Sequence, residues 1–174
     1  MATVVAVLVA AAVSSRPAWA ASTSTTSPAA PAPGSRPAMV TLIEQQFPNA
    51  RGWFRLVSGL SYQQGPKGFS PDWETITHPK VLRKDAAGHR LMPTLPLRAD
   101  GPVEVAIDGQ PGFWVRATPL DVRPVPGLLA DGLVAYPGAY PGGDLLYKVT
   151  PTHVDEYLYV ASPEKRRTLR IRLE

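Results

Sequence analysis

Residues 133–160, LVAYPGAYPGGDLLYKVTPTHVDEYLYV, decide the fold. Leu145, Tyr147 and Val149 alternate with Leu146 and Lys148. After a turn at Thr150-Pro151-Thr152-His153 the chain returns from Val154 to Val160, with Glu156, Leu158 and Val160 on one side and Asp155, Tyr157 and Tyr159 on the other. A period of two marks a strand, because successive side chains of extended backbone point to opposite faces. Tyr and Val suit such a pleated, half-buried surface. Leu133–Tyr136 reads as a further short strand, joined to the next by a loop over residues 137–143. Asp144 opens that next strand, where its carboxylate can accept hydrogen bonds from free loop amides.

The pattern extends outward from this core. Upstream, Val103, Val105 and Ile107 alternate with Glu104 and Ala106; the turn dipeptide Asp108-Gly109 follows, and Phe113–Ala117 completes a hairpin. Downstream, Leu169, Ile171 and Leu173 alternate with Arg170 and Arg172. Trp53–Val57 reads as a strand, and residues 61–100, broken by five prolines, read as loops with short β pieces such as Glu74–Thr77. Met39, Leu42, Ile43 and Phe47 fall at helical spacing before Pro48. The chain of 174 residues holds 20 Pro and 14 Gly, a density that excludes long helices and coiled coils and suits short strands joined by turns. With 44% hydrophobic residues it is not a disordered chain. The expected fold is mainly β, an antiparallel sandwich-like domain of six to eight short strands with at most one short N-terminal helix.

The first 38 residues have a different character. Val4–Val13 is an apolar run too short to span a bilayer, which takes about 20 residues. Ala18-Trp19-Ala20 follows as an A-x-A pattern, so residues 1–20 read as a signal peptide cleaved after Ala20. Residues 21–38, rich in Ser, Thr, Pro and Ala, read as an extended linker, and residues 39–174 as the β-rich domain. The expected location is outside the cytoplasm: periplasm, cell surface or extracellular space. No transmembrane segment is expected once the leader is removed. Zero Cys excludes disulfides, thiolate catalysis and Cys-ligated metal. The last strand still alternates at Glu174, so the domain is expected to be the front part of a longer protein, the alternative being a closing strand of a complete sheet.

Residues 133–160 also resemble a segment near the N-terminus of large exported bacterial repeat proteins with YD/RHS-like or DNRLRE-like architectures. The match is carried by Tyr136, Tyr140, Pro141, Gly142, Asp144, Leu145, Tyr147, Val154 and Glu156; His153 and Asp155 depart from it, where Gly and Lys are usual. The resemblance implies an exported β-rich module at the head of a longer β-repeat protein, and no catalytic residues.

A search for chemistry is mostly negative. G-x-S-x-G is absent, Gly59–Lys67 has the wrong spacing for a phosphate-cradling loop, and His78, His89 and His153 are too scattered for a zinc-protease helix. Asp100-Gly101, Asp108-Gly109 and Asp131-Gly132 are solitary turn dipeptides rather than calcium loops. No cofactor or metal site is expected, and the chain is read as non-catalytic. Its expected function is a structural or interaction module of the envelope or secreted fraction. The alternative is a carbohydrate-binding domain, with Asp72, Trp73 and Glu74 as the ligand site on a loop-like stretch, and the third a glycoside-active enzyme. Trp53 and Trp114, beside Phe54 and Phe113, read as core. Lys165, Arg166, Arg167, Arg170 and Arg172 are read first as a turn and a solvated strand face that discourages edge pairing, the alternative being a contact with an anionic partner. No aromatic residue interleaves them, so nucleic acid is not expected. The expected partners are a cell-surface glycan or another envelope protein. Net charge is +4, and only Arg16 and Arg36 among the 18 basic residues precede the domain, which is close to neutral.

Overall fold

The computed structural model describes residues 10–13, 41, 44–45, 54–76, 88–160 and 169–174. Among them the chain is mainly strand: β1 (Ala10–Val13), β2 (Ser61–Gln64), β3 (Phe69–Asp72), β4 (Leu91–Thr94), β5 (Val103–Ile107), β6 (Trp114–Leu120), β7 (Leu128–Ala130), β8 (Leu133–Tyr140), β9 (Gly143–Thr150), β10 (His153–Val160) and β11 (Arg170–Leu173). They form a five-stranded sheet in the order β1-β10-β9-β8-β7, a four-stranded sheet β11-β6-β5-β4, and a β2-β3 hairpin. Phe69 bridges Leu95 just beyond β4, which ties the hairpin to the four-stranded sheet. Every pairing is antiparallel except that of β1, which runs parallel to β10 with Ala10 beside Tyr157 and Val13 beside Val160. The fold is thus the mainly β, sandwich-like one expected, with more strands than the six to eight expected. No helix among the described residues is long and apolar enough to cross a membrane.

One core joins the two large sheets. It contains Leu91, Leu95 and Val103 from one and Val134, Tyr136, Leu145 and Tyr147 from the other. Each such side chain contributes about 1.5–3 kcal/mol by leaving water. Tyr136 reaches across to donate its hydroxyl to the Pro96 carbonyl at 2.6 Å. Register places Val134, Tyr147 and Glu156 side by side on this inner face, and Ala135, Leu146 and Tyr157 on the opposite one. The opposite face is covered as well. Phe54 packs edge-on against Tyr157 with ring centroids 5.6 Å apart, and Phe54, Val57 and Leu60 are all buried. That double cover explains why β9 buries both of its alternating sets, Leu145, Tyr147 and Val149 as well as Leu146 and Lys148.

Three local expectations change. Of the strand expected over Trp53–Val57, Trp53 lies outside the described residues and the rest is not extended: Phe54 and Arg55 are helical and residues 56–59 turn, with Val57 N–H donating to the Phe54 carbonyl at 3.2 Å. Spacing of three between Phe54, Val57 and Leu60 puts one apolar side on the sheet, which a strand could not do. The loop expected over 137–143 is largely strand: β8 runs through it with a register shift between Tyr136 and Tyr140, and only Pro141-Gly142 turns. Asp144 does accept from this irregular stretch, taking the Gly138 amide at 2.6 Å. Of the β piece expected over Glu74–Thr77, Glu74 and Thr75 belong instead to a 3-10 turn, Trp73–Thr75, capped by Asp72, and Thr77 lies outside the described residues. Of the expected N-terminal helix, Thr41, Glu44 and Gln45 are helical, and Met39, Leu42, Ile43 and Phe47 lie outside the described residues. Residues 1–9, 14–40 and 161–168 also lie outside them, so the leader, apart from β1, and the linker are not described.

The Asp131-Gly132 turn locks the covering segment down. Asp131 accepts from Ser58 Oγ and from the Gly59 amide, both at 3.0 Å. Gly132 has φ 82°, and a Cβ there would stand 1.8 Å from the Val57 carbonyl oxygen, so only glycine fits.

Candidate functional site

The outer face of the four-stranded sheet is where apolar and charged groups meet in the open. β5 and β6 pair Val105 with Val115 and Ala106 with Trp114, which sends Val103 inward and Trp114 outward. Register then sets Met92, Ala106 and Trp114 in one cross-strand row and Thr94, Glu104 and Arg116 in the next. Arg116 also exchanges backbone hydrogen bonds with Glu174, so the same row continues past β11. Trp114 is 52% exposed and Met92 46%. Around them lies a shallow depression of about 390 Å³ lined by Met92, Thr94, Glu104, Ala106, Trp114, Arg116 and Lys67.

Arg116 organises this surface. Its Nη2 and Nε donate to Glu104 Oε1 at 2.7 and 3.0 Å, and its Nη1 donates to Glu174 Oε2 at 3.2 Å. The hydrogen bond to Glu104, then that to Glu174, hold the guanidinium more firmly protonated than usual. Its Cζ lies 5.2 Å from the centre of the Trp114 ring, a cation–π distance that fixes the indole.

The residues expected to bind ligand lie elsewhere. Trp73 is 6% exposed and belongs to the core, so its ring offers no face to a sugar. Asp72 caps the 3-10 turn, its Oδ1 accepting from the Glu74 amide at 3.2 Å, while Glu74 is exposed and 4.0 Å from Arg90. The three are adjacent in sequence without forming a shared surface. Trp114, read as core, is the open one. Trp53 lies outside the described residues. Of the basic cluster, Arg170 pairs with Asp121 at 2.6 Å and Arg172 with Glu174 at 3.4 Å. Both stand on the Trp114 side of the sheet, opposite Leu120 and Thr118. Lys165, Arg166 and Arg167 lie outside the described residues. The missed signal is the hairpin register: once Val105 faces Val115, Trp114 must fall on the Glu104 side, and Glu104 must meet Arg116.

The buried polar groups make a separate, structural cluster. Tyr147 donates to Glu156 Oε2 at 3.1 Å inside the core. Burial raises the Glu156 carboxyl above its ordinary value, and the hydrogen bond from Tyr147 lowers it in part. Burial, with Glu156 and Asp121 nearby, pushes the Tyr140 hydroxyl up to about 12. On the other face Lys148 and Asp155 pair at 2.7 Å. His89 lies 3.3 Å from Gln110, and His153 2.6 Å from Thr152. Among the described residues no three His, Asp or Glu side chains are grouped to hold a metal ion. Comparison with family models, with curated proteins and with solved structures finds no match.

Proposed function

We propose that this chain is a non-catalytic interaction module of an exported protein, and that the outer face of the four-stranded sheet is its working surface. The observation that carries the reading is Trp114. Its indole is half-exposed, lies under the Arg116 guanidinium and shares a cross-strand row with exposed Met92, an open apolar patch of the kind that marks an interaction site. The apolar run and A-x-A pattern of residues 1–20 support export, and residues 133–160 support a place at the head of a longer β-repeat protein.

The test is co-sedimentation with insoluble cell-envelope material, which makes no assumption about ligand class. The purified chain is expected in the pellet, and the Trp114→Ala variant in the supernatant. Equal pelleting of the two chains, or no pelleting of either, overturns the proposal.

A further inference from the structure

We propose that the Trp114 face binds an uncharged glycan, with the indole stacked on the C–H face of one pyranose ring. The inference rests on the proposal that this face is the working surface, and adds the ligand class. Three features of the surface lead to it.

The first is shape. The depression is open and lined by residues of β4, β5 and β6 together with Lys67. β5 is paired with a strand on each side, whereas β6 pairs with β11 only over Ala117–Leu120 and with Glu174 at Arg116, so Trp114 stands just past the end of that pairing. The open surface around the indole is a sheet face, on which a flat ring can lie. The second is chemistry. A pyranose has an apolar C–H face and a rim of hydroxyls, each both donor and acceptor. Trp114 and Met92 supply apolar surface. Glu104 takes both of its hydrogen bonds from Arg116 on Oε1, which leaves Oε2 to accept from sugar hydroxyls. Lys67, on the same depression, donates to them. The third is charge. Arg116 is compensated by Glu104 and Glu174, and Arg172 is also within ion-pair distance of Glu174. A polyanion would have to displace these carboxylates, whereas a neutral ligand leaves them in place. Among the described residues Lys67 is the one cation lining the depression outside these pairs, and a phosphate-rich polymer or an anionic lipid surface is held by several cations together.

The experiment is native affinity electrophoresis of the full chain through gels holding soluble neutral polysaccharides (a mixed-linkage β-glucan, xylan, galactomannan and starch), with heparin and alginate as anionic gels. Retardation by at least one neutral polymer is expected, weakened at least about tenfold by Trp114→Ala, the scale of an aromatic platform with its buried area. Glu104→Gln should weaken it a few-fold. Unfolding curves of the variants establish that they are folded. Unchanged mobility in every neutral gel, retardation of Trp114→Ala equal to that of the parent chain, or binding confined to the anionic gels overturns the glycan inference. If sedimentation with envelope material depends on Trp114 while no gel, neutral or anionic, retards the chain, the face stands as the working surface and its partner is a protein. If sedimentation is independent of Trp114, the surface proposal itself falls.

Discussion

The two large sheets use the same alternation of side chains to opposite ends. In the five-stranded sheet both faces are covered, one by the four-stranded sheet and the other by the turn Phe54–Leu60, so β9 has no solvent side and even Lys148 is buried against Asp155. In the four-stranded sheet the face of Leu91 and Val103 turns to the core, and the opposite face, with Met92, Glu104, Trp114 and Arg116, meets water among the described residues. Strand periodicity is a statement about two faces. It carries no information about how many of them will be covered.

That contrast can be broken experimentally. The strongest test is at the covering turn and the strand beneath it. Leu146→Ala, in a site fully buried on the covered face, should cost about 2–5 kcal/mol by denaturant unfolding, whereas Met92→Ala on the open sheet should cost under about 1 kcal/mol. Equal costs would show that the Phe54–Leu60 cover contributes nothing. Gly132→Ala should fall in the same large range, because its Cβ would meet the Val57 carbonyl and push that cover away.

Next in size is the buried pair on the inner face. Tyr147→Phe removes the one hydroxyl that hydrogen-bonds Glu156 and should cost about 1–3 kcal/mol. Glu156 also sets a pH dependence. Burial raises its folded-state pKa above the unfolded value, so the folded chain binds its proton more tightly. Its contribution to stability is therefore full below the unfolded pKa and is lost as pH rises through the folded one. Melting temperatures of the parent chain should fall relative to those of Glu156→Gln as pH rises from about 4 upward. A constant difference between the two would refute the assignment. The smallest effect belongs to the open sheet. Glu104→Gln, at a largely solvated pair, should change stability by only about 0.2–1 kcal/mol and by less in high salt.

Legibility in the sequence followed the range of the interaction. The Asp108-Gly109 hairpin and the role of Asp144 were readable because turn chemistry acts over a few residues. Pro137-Gly138 misled because Pro and Gly mark a bulge as readily as a loop. Whether β8 continues depends on pairing with β9, where Tyr140 still meets Gly143. Phe54–Val57 misled because a short apolar run fits either a strand or a helical turn, and what it packs against decides. The candidate site suffered most. Neighbouring aromatics made Trp114 look like core and acidic neighbours made Trp73 look open; the reverse holds, because exposure depends on the partner strand and its register.

By itself the sequence determined strand content, the positions of most turns and which residues share a face of each strand, since all three follow from local backbone geometry and a period of two. Only the tertiary structure decided which faces are covered. Burial is a property of what lies across from a strand: among the described residues nothing covers Trp114 on β6, while the distant turn at Phe54 covers Leu146 on β9.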